Sequence, residues 1–202
     1  MALNYEKKYY DQGFSFVVGI DEAGRGPLLG PVVACALILP KDFSSDLIDD
    51  SKKLSQKKKE QAYKLLIANA LDYGIGIVSS QEIDELNIYQ ASRLAMIKAL
   101  KALKHHYEVI LTDAMSIPFE NVSFEALIKG DQKAQCIAGA SIIAKVTRDR
   151  LMEELDAQYP LYGIKSHKGY PTRKHLKALK EFGPIKGVHR YTYRPVKKVL
   201  KK

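Results

Sequence analysis

Two hydrophobic rhythms divide the chain. A short continuous apolar run at 16–20 (FVVGI) predicts a buried strand, a Gly/Pro-rich stretch at 24–31 predicts a turn, and the β-branched run VVACALIL at 32–39 predicts a second strand. At 55–72 the apolar positions fall at helical spacing with Ser55 placed as N-cap, and 73–78 returns to a strand pattern. Residues 88–103 are again helical in period, and YEVILT at 107–112 predicts a short strand ending at Asp113. This is the βαβ rhythm of an α/β sheet. From Asp131 to about residue 159 the pattern predicts one long helix. Its small-residue half, CIAGASIIAKV, implies close packing on the sheet, and its second half is polar and amphipathic.

Past Pro160 the composition changes. Residues 165–202 carry thirteen Lys or Arg against one acidic residue, Glu181, interleaved with Tyr170, Tyr191 and Tyr193. The expectation is one domain over 1–202, whose last part, about 160–202, is a basic helical tail and not a second core. At 202 residues the chain is long enough to bury a core without cross-links. Its formal charge of +9 favours a polyanionic partner, nucleic acid before an anionic membrane surface. Cys35 and Cys136 lie in apolar, small-residue surroundings and offer neither a disulfide framework nor a zinc pattern. With no signal-like or membrane-spanning apolar run, a reduced, cytoplasmic setting is expected.

Carboxylates mark the candidate chemistry. Asp21 and Glu22 close the first strand, Asp113 closes another, and Asp131 follows Gly130 at the start of the long helix. Several carboxylates gathered at one sheet edge repel one another unless a hard cation neutralises them, and magnesium suits oxygen ligands without a Cys or His cluster. Each residue has a plainer reading. Asp-Glu at a strand end can be a solvated turn, and Asp at a helix start can be an N-cap. Asp149 would lie eighteen residues beyond Asp131 on the same helix, roughly 27 Å away, too far to share a metal. Lys145, Arg150 and Glu153 give it the reading of a helix-surface or structural ion pair.

The loop Gly24-Arg25-Gly26-Pro27 is not a nucleotide P-loop, since GxxxxGK[ST] is missing, and it fails the dinucleotide fingerprint because a strand follows it. It offers backbone groups that a ligand can approach closely, and one Arg. A tight turn between strands is the alternative. Lys52 and Lys53 are either phosphate contacts or a solvated face, and Lys145 and Arg148 are equally open. His105, His106, His167, His175 and His189 lack metal-ligand spacing and are expected at the surface or beside phosphates.

GIDEAGRGPLLGPVVACALIL, DSKKLS at 50–55, KGDQK at 129–133, ASIIAKVTRDR at 140–150, HKGYPT at 167–172 and HRYTYRP at 189–195 run in order along nearly the whole chain. Together they resemble bacterial ribonuclease HII. The resemblance implies a ribonuclease H-like α/β fold with a mixed five-stranded sheet flanked by helices and a C-terminal helical extension. It also implies an endonuclease acting on RNA in RNA–DNA hybrids and at ribonucleotides embedded in duplex DNA, leaving 3′-hydroxyl and 5′-phosphate ends. On that likeness Asp21, Glu22, Asp113 and Asp131 are the catalytic carboxylates binding Mg2+ or Mn2+. Gly24, Arg25 and Gly26 read the 2′-hydroxyl, and Tyr170 packs on the adjacent deoxyribose; apart from the likeness, Lys52 and Lys53 are carried as candidate substrate contacts. The 2′-hydroxyl is the group that tells RNA from DNA at one position. Ala114 stands where relatives more often have Gly, and Gly139 where they favour Ala, a change expected to loosen the helix by about 1 kcal/mol. No clamp-binding motif is visible at the C-terminus, so a monomer without a protein partner is expected, and no membrane association. The competing classes are a non-catalytic nucleic-acid binder, which leaves the strand-end carboxylates unexplained, and a nucleotide-dependent enzyme, which lacks its phosphate loop.

Overall fold

The computed structural model describes residues 3–48, 54–117 and 122–201. In chain order the elements are α1 (Lys7–Tyr10), β1 (Val17–Ala23), β2 (Val32–Ile38), α2 (Gln56–Asn69), β3 (Asp72–Val78), α3 (Ser80–Leu86) and α4 (Ile88–Ala102). There follow β4 (Val109–Asp113), β5 (Ser123–Leu127), α5 (Gln135–Gln158), α6 (Ile164–His167), α7 (Arg173–Phe182) and α8 (Arg194–Leu200). The five strands form one mixed sheet in the order β3-β2-β1-β4-β5, with β2 antiparallel to β1 and β3, and β4 parallel to β1 and β5.

Strand alternation sends the side chains of β2 to two different layers. Val32, Ala34, Ala36 and Ile38 join Ala91, Ala95, Met96 and Leu100 of α4, whereas Cys35 and Leu37 join Ala62 and Leu66 of α2 and the small-residue half of α5. Both faces are covered, which is why these strands are nearly continuous in apolar character. Local signals set several boundaries: the Ser55 hydroxyl accepts the Lys58 N–H to cap α2, and Ser79 and Glu82 form a capping box on α3. The Gly139 position proves to be a site of close packing. A Cβ there would come within 2.6 Å of Leu37 and 2.9 Å of Leu66, so the missing side chain admits two core leucines where a looser helix was expected.

Two elements differ from the sequence pattern. The long helix starts at Gln135, and Asp131 lies ahead of it in a separate 3-10 turn, Gly130–Gln132. The N-cap of α5 is Ala134, which has no capping side chain. The Cys136 N–H is instead taken by the buried carboxylate of Glu6 at 2.6 Å, a cap supplied from 130 residues away. The second difference is in the C-terminal segment, which does bury apolar surface of its own. Tyr162, Ile164 and Ala178 pack with Leu29 and Met152, and Leu179 and Val196 pack with Leu28. Basic side chains on its outer face hide that inner face from a composition count.

Candidate active site

The parallel pairing of β1 and β4 brings the acidic residues together. Ile20 registers with Thr112, so Asp21 and Asp113 are the next residues along two adjacent strands and lie on the same face at their carboxyl ends. Asp21 is buried, accepts the Glu22 N–H at 2.8 Å and is hydrogen-bonded by Ser141 of α5. Burial, and then the charges of Glu22 and Asp113, push its carboxyl well above the usual carboxylate range. Glu22 is raised too, mainly by burial, although Arg25 opposes the shift through an ion pair at 3.3 Å. The second oxygen of Glu22, Oε2, is buried with no hydrogen-bond partner among the described residues. Desolvated carboxylates in mutual repulsion are a setting that a hard cation would stabilise.

Asp113 accepts the Gly130 N–H through Oδ1 at 2.9 Å, and this bond brings the 3-10 turn carrying the buried Asp131 to the end of β4. Asp131 therefore approaches the end of β4 on a 3-10 turn and not as the first residue of α5. Because it is not on that helix, the helical rise gives no distance from it to Asp149. The ion-pair reading of Asp149 stands on its own geometry: its Oδ1 lies 2.6 Å from Lys145, while Arg150 pairs with Glu60 and Glu153 with Lys168. Among the described residues no group of three or more His, Cys, Asp or Glu side chains is arranged to hold a metal ion as it stands.

The glycine loop leaves β1 next to these acids. Gly24 has φ +104, and a Cβ there would fall 2.2 Å from Arg148 Nε, so both conformation and space require glycine. Arg25 and Gly26 are exposed, and a Cβ on Gly26 would sit 3.5 Å from the ring of the half-exposed Tyr170. Glu22, Arg25, Gly26 and Tyr170 share with Lys59, Ser141 and Lys145 a cleft of about 410 Å³. Tyr170 and the loop are tied through their backbones, with the Leu28 N–H donating to Gly169 O at 2.8 Å. Lys52 and Lys53 lie outside the described residues.

Behind the loop are two fully buried arginines that sequence reasoning did not single out for this task. Arg148 Nε donates to Pro31 O, Nη2 to Leu29 O and Nη1 to Lys168 O, so it faces backbone and is neither of the two things left open for it, a phosphate contact or part of a solvated face. Arg190 donates to Gly24 O at 2.7 Å, to Arg25 O at 2.9 Å and to Gly30 O through two nitrogens. Burial lowers both guanidinium groups, Arg148 to about 10, which leaves them charged at neutral pH. Their motifs, VTRDR and HRYTYRP, were visible, but an Arg in a strongly basic segment carries no sign that it points inward. Three of the five histidines likewise lie inside. His167, His175 and His189 are buried, and the rings of His167 and His175 stack at 4.3 Å. Their polar atoms find partners within the C-terminal segment, which is why the surface expectation fails.

A model of the Ribonuclease HII family matches residues 18–196. The chain belongs to the ribonuclease HII family. It is 49% identical over 197 residues to Ribonuclease HII of Caldanaerobacter subterraneus subsp. tengcongensis, covering 98% of this chain and 80% of that one. Among solved structures, ribonuclease H2 of Pyrococcus horikoshii OT3 is similar at 28% identity and a TM-score of 0.79, over 92% of this chain and 97% of that one. RNase HII of Archaeoglobus fulgidus, solved in a complex with PCNA, is 25% identical with a TM-score of 0.71 over the same shares. The mixed five-stranded sheet flanked by helices is thus the ribonuclease H-like fold, and the chain is a ribonuclease H, an enzyme acting on nucleic acid. No helix among the described residues is long and apolar enough to cross a membrane.

Proposed function

We propose that the chain is an endonuclease that hydrolyses the RNA strand of RNA–DNA hybrids and cuts on the 5′ side of ribonucleotides embedded in duplex DNA, leaving 3′-hydroxyl and 5′-phosphate ends. The observation that carries this is the placing of Asp21 and Asp113 at the ends of adjacent parallel strands beside Glu22 Oε2, which is buried with no hydrogen-bond partner among the described residues. Oxygen donors alone, buried and mutually repelling, fit Mg2+ or Mn2+ and not a softer ion. Asp21, Glu22, Asp113 and Asp131 are the residues that would hold it. Two such ions, when bound, activate the attacking water and stabilise the leaving oxygen of the phosphodiester.

The protein's own part is to hold and select. Ser141 and the Glu22 N–H fix the orientation of Asp21, and the Gly130 N–H fixes Asp113. Turning to a cation would cost Glu22 its Arg25 partner and would leave that guanidinium for a phosphate. The backbone of Gly24, Arg25 and Gly26 reads the 2′-hydroxyl, the ring of Tyr170 packs on the neighbouring deoxyribose, and Lys52 and Lys53 contact phosphates.

The test is a DNA duplex carrying one ribonucleotide, incubated with and without magnesium, beside the Asp113→Asn variant. Wild type is expected to cut on the 5′ side of the ribonucleotide only when the metal is present, and the variant to lose that cleavage. Equal cutting by both proteins, or cutting indifferent to metal, overturns the assignment.

A further inference from the structure

The loop beside the carboxylates is held from behind by groups that never reach the cleft. We infer that Arg190, together with Tyr193, is a positioning residue for sugar discrimination, fixing the peptides of Gly24 and Arg25 so that their neighbours' N–H groups face the substrate, and that Arg148 sets the spacing between this loop and Tyr170. The inference rests on the reading of the cleft given above and assigns it three residues that do not touch substrate.

Peptide geometry decides which way the donors face. In a trans peptide the C=O and the following N–H point in opposite directions. The Gly24 carbonyl is turned to Arg190 Nη2 at 2.7 Å, so the Arg25 N–H is turned away from it. The Arg25 carbonyl is turned to Arg190 Nη1 at 2.9 Å and to the Tyr193 hydroxyl at 2.7 Å, so the Gly26 N–H is turned away as well. Neither N–H donates to any described residue. Two adjacent donors with no acceptor among the described residues, on a loop that lines the cleft, suit an oxygen acceptor brought by the substrate.

The backing is electrostatic as well as steric. A guanidinium on the carbonyl side polarises each peptide, which strengthens the N–H as a donor on the other side. Five carbonyls, those of Gly24, Arg25, Leu29, Gly30 and Pro31, receive the two guanidinium groups, and among the described residues neither Arg pairs with a carboxylate. Arg148 directs its remaining arm to Lys168 O, two residues before Tyr170. One planar fork thus bridges the loop and the turn that carries the aromatic ring. A lysine, with one nitrogen on a flexible stem, cannot hold several carbonyls in fixed directions.

The experiment compares wild type with R190K, R190A, R148K and Y193F on duplexes with one ribonucleotide, one 2′-O-methyl nucleotide or none, following kcat, KM and the melting temperature. If wild type does not cut at the ribonucleotide, the function proposed above fails and takes this inference with it. If wild type cuts selectively, R190K is expected to keep its fold and its KM within a few-fold while kcat on the ribonucleotide falls about 100-fold, the scale of a misplacement near 1 Å. Y193F, which loses one hydroxyl and no charge, should fall about tenfold without a change in melting temperature, and it decides the matter if R190A does not fold. R148K should raise KM more than R190K does, since it loosens Tyr170. Wild-type kcat and wild-type sugar selectivity in R190K and Y193F would overturn the inference, and so would a loss that merely follows the melting temperature.

Discussion

His189 donates its Nε2–H to Nε2 of His175 across 3.2 Å, and the surrounding bonds leave no other assignment. His175 Nδ1 faces Tyr170 O at 2.9 Å and must carry a proton, so its Nε2 is bare. His189 Nδ1 accepts the Ile185 N–H at 2.9 Å, so its proton is on Nε2. His167 fits the same logic, donating to Tyr162 O and accepting the Gly169 N–H. All three are neutral, and a second proton on His175 would set N–H against N–H.

A pH dependence of stability follows from that network. Burial depresses all three histidines, His189 to about 3 from an ordinary 6.5. Above pH 6.5 both folded and unfolded chains hold them neutral, and stability is full. As pH falls below 6.5 the unfolded chain binds protons that the folded chain refuses, so stability declines, by up to about 1.4 kcal/mol per pH unit for each His. Urea melts between pH 7 and 5 should show this slope, reduced in H189Q. A flat profile in wild type, or the same slope in the variant, would count against the neutral network.

Ala114 carries strain that can be relieved. It is exposed with φ +55, a left-handed conformation that costs an L-residue about 1–2 kcal/mol. Ala114→Gly removes that strain but adds freedom to the unfolded chain, leaving a net gain of about 0.5–1 kcal/mol. The urea midpoint should rise, and a fall would show that the Ala methyl makes a contact worth more than the strain.

The outer face of α7 is suited to duplex phosphates. Arg173, Lys177 and Lys180 are exposed at spacings of four and three, while His175, Ala178 and Leu179 face inward. Changing all three cations to Gln should weaken duplex binding at low salt and flatten the plot of log K against log salt by about 0.9 for each phosphate that is no longer neutralised. An unchanged slope would mean that this face does not meet the duplex.

Much of this was readable from apolar rhythm alone. FVVGI and VVACALIL are continuous because both faces of the central strands are covered, and the Ser55 cap and the helix ending near residue 103 follow from local chemistry. The β5 strand was not readable: SFEAL is an edge strand, mostly half-exposed or exposed, and shows neither an apolar run nor strict alternation. The start of α5 was misplaced because Asp131 has the right residue type for a cap, while the group that caps the helix, Glu6, is remote in sequence. Asp21, Glu22 and Asp113 could be named as candidates from strand ends. Arg148, Arg190 and the buried histidines could not, because whether a basic side chain points in or out is decided by backbone carbonyls brought together only in the folded chain.

Arg190 stands 166 positions from the Gly24 carbonyl that it holds. In order of synthesis, every proposed ligand carboxylate exists once residue 131 has been made, but the anchor of the loop proposed to read the sugar arrives about sixty residues later. Pairings at such separation form late and slowly in folding. On the proposed reading, a chain interrupted in its last segment would carry the carboxylates without the support that turns the loop toward the sugar, so cleavage at a ribonucleotide and completeness of the polypeptide would be established by the same event.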